Sequence, residues 1–146
     1  GISCSTIMKW KNPAHKKVEN VEESQNKLLT NLPYFIDLDK NFLLDGHFCL
    51  LTEKNTIERV PIEVFENINP DMIILLEECP TVICQRLSDR DTIQYSEDLI
   101  KNFLLEERMY ANEVADTLGI PLKCSNSETR NICIDELIQY VNPNIR

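Results

Sequence analysis

Glycine is scarce in this chain: Gly1, Gly46 and Gly119 are the only three in 146 residues. A phosphate-cradling G-x-x-x-x-G-K-S/T loop cannot be assembled from glycines so far apart. Long apolar runs are missing too. None approaches the length of about 20 residues that crosses a bilayer, and no signal peptide opens the chain. Basic residues are in the minority, 15 against 24 acidic, for a formal charge of −9. That balance excludes general binding to nucleic-acid backbones, which needs clustered Lys and Arg, but leaves room for a local basic pocket. The six cysteines include no C-x-x-C pair and no Cys/His pair at zinc spacing. Four lie in or beside apolar runs, so they read as reduced, mostly buried thiols of a cytoplasmic protein.

What is present suits a single globular domain over residues 1–146, with 42% apolar and 27% charged residues. Gly1 leads straight into strand-like sequence and reads as an arbitrary start. Residues 6–31 carry four lysines followed by Glu19, Glu22 and Glu23, with Val18, Val21, Leu28 and Leu29 at helical spacing, which predicts a polar helix over 18–31 ended by Pro33. Strands are expected near 1–5, 41–46, 71–77 and 120–124. A hairpin is expected from Phe48–Leu51 and Thr56–Val60, and a helix after Pro61. Further helices are expected from Cys79-Pro80, over Ser96–Leu118 with Gly119 as its stop, and over Ile132–Val141. Nearly continuous apolar strands alternating with amphipathic helices predict an α/β fold, a mostly parallel sheet covered by helices on both faces.

The chemistry centres on Phe42-Leu43-Leu44-Asp45-Gly46-His47. A buried strand ending in Asp45 delivers a carboxylate to the C-terminal edge of the sheet, where ligands bind in open α/β folds. Asp45 is a candidate Mg²⁺ partner, and His47, two residues on, could orient a water, phosphate or nucleotide group. The plain alternative is a core strand closed by an ordinary Asp-Gly turn and a structural histidine. Arg86 and Arg90, one helical turn apart, could converge on one anion, or form a surface pair bridged to Glu77, Asp89 or Asp91. Glu107 falls in the middle of the long helix's apolar stripe and needs a partner such as Arg86, Arg90 or a backbone donor. Arg108, on the stripe's margin, is the next candidate cation.

In this order the motifs resemble P-loop nucleoside monophosphate kinases, especially archaeal-type adenylate kinases and small bacterial AAA-like ATP-binding proteins. Leu43-Leu44-Asp45-Gly46-His47 resembles their Walker B strand, Asn69 to Glu77 the next strand, and Arg86-Leu-Ser-Asp-Arg90 the paired arginines of a lid over 86–95. The resemblance implies a fold of five parallel strands, with residues 6–31 as the monophosphate-binding region. It implies ATP and Mg²⁺ as cofactors, a nucleotide as substrate, and phosphoryl transfer or ATP hydrolysis as the reaction. Asp45 would hold the metal, His47, Arg86 and Arg90 would serve catalysis, and Arg86, Arg90 and Arg108 would bind the nucleotide. The family's first strand, phosphate loop and helix have no counterpart here. That strand lies between those matching 41–45 and 72–76, so the chain is expected to be inactive alone and to need an upstream segment or a partner chain to complete its sheet. The alternative is a kinase-like module that has lost catalysis and serves as a binding or regulatory partner.

Overall fold

The computed structural model describes residues 1–7, 17–18, 20–37, 40–52, 54–90 and 94–142. Lys9, Lys11 and Lys16 of the 6–31 region, and residues 91–93 of the lid-like segment, lie outside that set. The chain begins with β1 (Ile2–Ser3), which turns at once into α1 (Cys4–Ile7). The strand expected over 1–5 is therefore cut short. The Ser3 hydroxyl accepts the Thr6 amide at 3.2 Å and caps the turn that follows. Next come β2 (Lys17–Val18) and α2 (Val21–Asn31). The expected helix over 18–31 loses its first residues because Lys17 and Val18 pair in parallel with Leu51 and Thr52. Asn20 then caps α2 through its side chain, at 3.0 Å from the Glu23 amide.

β3 (Leu44–Asp45), β4 (Cys49–Thr52), β5 (Ile57–Arg59) and α3 (Ile62–Ile68) follow. β4 and β5 form the expected antiparallel hairpin, turned at Asn55 with a positive φ of 58°. Pro61 stands at the N-cap of α3 and left-handed Asn69 at its C-cap. The remainder is β6 (Ile73–Leu76), α4 (Pro80–Arg90), α5 (Glu97–Leu118), β7 (Leu122–Ser125) and α6 (Arg130–Val141). Ser96 caps α5 at one end, and Gly119, in the left-handed region at φ 67°, closes the other.

The fold is mixed α/β, and its parallel pairings are β1–β3, β2–β4 and β6–β7. The strands do not merge into one sheet. Among the described residues they form three small sheets, of two, three and two strands, because β3 pairs only with β1 and β6 only with β7.

Two apolar clusters hold the elements together. One gathers Ile7, Leu28, Leu32, Val60 and Val64; the other gathers Cys49, Ile73, Tyr110, Val114 and Ala115 around α5. Each large side chain so buried contributes roughly 1.5–3 kcal/mol. Phe65 packs against both clusters, so α3 ties the two halves together. The Tyr110 hydroxyl donates to the Val60 carbonyl at 2.6 Å, and Arg59 lies over the Tyr110 ring while bridging to Glu106 and Glu113, which locks the hairpin to α5. Along β6, Ile73 and Leu75 are buried but Leu76 is 72% exposed, so the strand's second face is thinly covered.

Candidate functional site

Asp45 is the last residue of β3, paired in register with Ser3, and its side chain is exposed. The strand end is shaped by its contact with α1. Cys4 Sγ sits so close to Gly46 that a Cβ there would lie 2.7 Å from it. Burial, and next the charge of Asp45, push the Cys4 thiol up to about 11. Cys4 therefore stays a neutral wall beside the carboxylate. Sequence reasoning missed this neighbour, because nothing local in residues 1–5 announces that the chain's start packs against residue 46.

His47 is half exposed and rests on α5. Its Nδ1 lies 3.3 Å from Glu107 Oε1, and its ring meets Phe103 edge to face, centroids 6.2 Å apart. Glu107, expected to need a partner, finds backbone donors rather than an arginine. The amides of Phe48 and Cys49 donate to Oε1 at 2.9 and 3.1 Å. Those bonds replace the water a buried carboxylate loses. The Cys49 thiol is pushed up to about 12 by burial and then by the charges of Glu107 and Glu106.

The arginines attach to the end of β6. Arg108 makes a bidentate pair with Glu77 at 2.5 and 2.7 Å, which raises its affinity for the proton further. Arg86 on α4 reaches Glu78 at 3.5 Å, and Arg90 ends the same helix one turn on. No ion pair joins Arg86 or Arg108 to Asp45 among the described residues. The structure thus brings together Asp45, Gly46 and Cys4 on one side and His47, Phe103 and Glu107 on another, and gathers Arg86 and Arg108 around Glu77 and Glu78. An open concavity of about 400 Å³, lined by Asn20, Val21, Glu22, Glu58, Arg59 and Pro61, includes none of the candidate residues.

The expectation of mostly buried cysteines is corrected in part. Cys49 and Cys133 are buried and Cys4 and Cys84 half-buried, whereas Cys79 and Cys124 are exposed; all six are free thiols. No helix among the described residues is long and apolar enough to cross a membrane.

A family model described as an AAA domain matches residues 7–103, about two thirds of the chain. The chain belongs to this AAA domain family. The family is of P-loop NTPase type and includes kinases. The match runs through Asp45, His47, Arg86 and Arg90 and stops before Glu107 and Arg108. No curated protein is similar enough to match the chain.

P-loop NTPases generally bind ATP or GTP with Mg²⁺. No group of three or more His, Cys, Asp or Glu side chains could hold a metal among the described residues of this AAA domain. Mg²⁺ keeps several waters and takes one or two carboxylates together with substrate phosphates, and Asp45 at the end of β3 is an exposed carboxylate.

Proposed function

We propose that this AAA domain belongs to an ATP-binding protein that transfers phosphoryl groups to a nucleotide or hydrolyses ATP, similar to adenylate and other nucleoside monophosphate kinases. The observation that carries the reading is the end of β3, where exposed Asp45 is followed by a glycine fitted to Cys4 and by a histidine seated on α5. In this reading β3 is the Walker B strand and Asp45 holds Mg²⁺, chiefly through water. Bound Mg²⁺ would supply neutralisation of charge on the transferring phosphoryl group. His47 orients a water or a phosphate oxygen. Arg86 and Arg90, from the lid-like segment 86–95, supply cationic donors worth roughly 1.5–3 kcal/mol each when bonded to phosphate, and Arg108 is a further donor once released from Glu77. Residues 6–31 form the monophosphate-binding region. Six free thiols support a reducing, cytoplasmic location.

The phosphate cradle itself comes, in this proposal, from outside these 146 residues. Among the described residues β3 and β6 each pair with one strand, and Leu43 and Leu76 stand 53% and 72% exposed on them or beside them. A parallel strand between β3 and β6, followed by a helix, would cover those edges. An upstream segment or a partner chain supplies that unit, and without it the chain is inactive. A second reading, a non-catalytic module completed by a partner, is favoured by the Arg108–Glu77 pair, which occupies a cation that a phosphate would need.

Calorimetry of Mg²⁺–ATP binding by the chain alone and by a form extended upstream tests both points. The short form should bind weakly at best and turn nothing over. The long form should bind and turn over ATP, and lose most Mg²⁺-dependent turnover on Asp45→Asn with its fold intact. Equal tight binding by both forms would sink the completion argument. Full activity of Asp45→Asn would remove Asp45 from the metal site, and an extended form that binds without turnover would favour the second reading.

A further inference from the structure

We propose that Phe103 and Glu107, one turn apart on α5, are positioning residues for His47 that fix its imidazole with Nδ1 against the protein and Nε2 free for a ligand. The inference rests on the reading of the Asp45 edge as a phosphate site and says how the histidine there is prepared. Glu107 cannot swing freely, because the Phe48 and Cys49 amides hold its Oε1 at 2.9 and 3.1 Å. That same anchored oxygen lies 3.3 Å from His47 Nδ1, while the Phe103 ring closes one side of the imidazole at 74° to its plane. The His47 side chain is nevertheless 47% exposed, against 11% for Glu107. A carboxylate 3.3 Å from Nδ1 favours a proton on that nitrogen over one on the other, and so favours the Nδ1–H tautomer, leaving the Nε2 lone pair as an acceptor. Nε2, on a side chain that is half exposed, is then the nitrogen left to accept a hydrogen bond from a water or hydroxyl.

A purely structural Glu107 would hold the amides without setting the tautomer, so the tautomer is the quantity to measure. The ¹⁵N-labelled 146-residue chain, without nucleotide and in alkaline buffer where imidazole is neutral, is examined by long-range ¹H–¹⁵N correlation. His15→Gln assigns the signals, since the chain has two histidines. His47 should show a protonated Nδ1 and a bare Nε2, the tautomer that free imidazole disfavours. Glu107→Ala should restore the free-imidazole preference. If that variant does not fold, Glu107→Gln, which keeps a carbonyl acceptor but no charge, should lower the Nδ1–H fraction measurably. A wild-type His47 in the Nε2–H form, or a ratio unchanged in every folded Glu107 variant, overturns the proposal. Because the measurement uses no nucleotide, failure of Mg²⁺–ATP binding would count against the functional reading alone.

Discussion

Cys4 Sγ and Gly46 meet so closely that a methyl group at position 46 would lie 2.7 Å from the sulfur. The start of α1 and the loop after β3 fit because residue 46 has no side chain. Gly46→Ala should therefore cost about 1–3 kcal/mol, the usual range for forcing a methyl into packed structure. Urea unfolding measures it, and the Cys4→Ala background separates the cause. With the sulfur gone the same substitution should be nearly neutral. An equal cost in both backgrounds would mean that the glycine serves some other need.

Glu107→Ala should destabilise the fold by about 2–4 kcal/mol, because two amides lose their acceptor and the one on Cys49 is buried. Glu107→Gln keeps a neutral acceptor and should cost only about 1 kcal/mol. Denaturant midpoints of the two variants check the order. If alanine and glutamine cost the same, the charge, rather than the hydrogen bonds, is what the site requires.

Glu107 also shows how far the sequence could be read. Its position in an apolar stripe announced a buried carboxylate, yet its partners are backbone amides, which leave no mark in a sequence. Signals that are local survived intact: Ser96 and Gly119 bound α5, and Pro61 opens α3. Signals that depend on distant partners did not. Val18 looked helical but pairs with Thr52 of β4, and Ser3 ends β1 by capping the next turn. The spacing of Arg86 and Arg90 was visible, whereas the hold of Glu78 on Arg86 and of Glu77 on Arg108 depends on how β6 leads into α4 and lies beside α5. The continuous apolar run that marked β6 as a strand was visible as well. Which strands it would pair with was set by tertiary arrangement, and among the described residues β6 pairs with β7 alone.

Cys79 should be the first thiol to react. It is exposed just before α4, where hydrogen bonds from the Thr81 amide and hydroxyl and the Val82 amide hold its thiol below the ordinary cysteine range. Near neutral pH it therefore carries more thiolate than Cys4 or Cys49, both of which are pushed the other way. Iodoacetamide labelling followed by peptide mass spectrometry should find Cys79 modified first, and Cys4 and Cys49 only after denaturant is added. Early labelling of Cys49 would show that the cluster around α5 opens readily.

Alkaline pH should weaken the fold, and the direction follows from two thiols. Burial raises Cys4 from 9.0 to about 11 and Cys49 from 9.0 to about 12. Below pH 9 both are protonated in the folded and the unfolded chain, and their contribution is fully present. Above pH 9 the unfolded chain releases two protons that the folded chain retains, so each added pH unit favours unfolding. The slope is about 1.4 kcal/mol per unit for each thiol. Tyr110, also raised by burial, adds to the loss above its ordinary range. Urea midpoints recorded from pH 8 to pH 10.5 should stay level at first and then fall. In Cys49→Ala, compared with its own stability at pH 8, the fall should be visibly shallower. A midpoint that holds level across the whole range would mean that neither thiol is as protected from water as its packing implies.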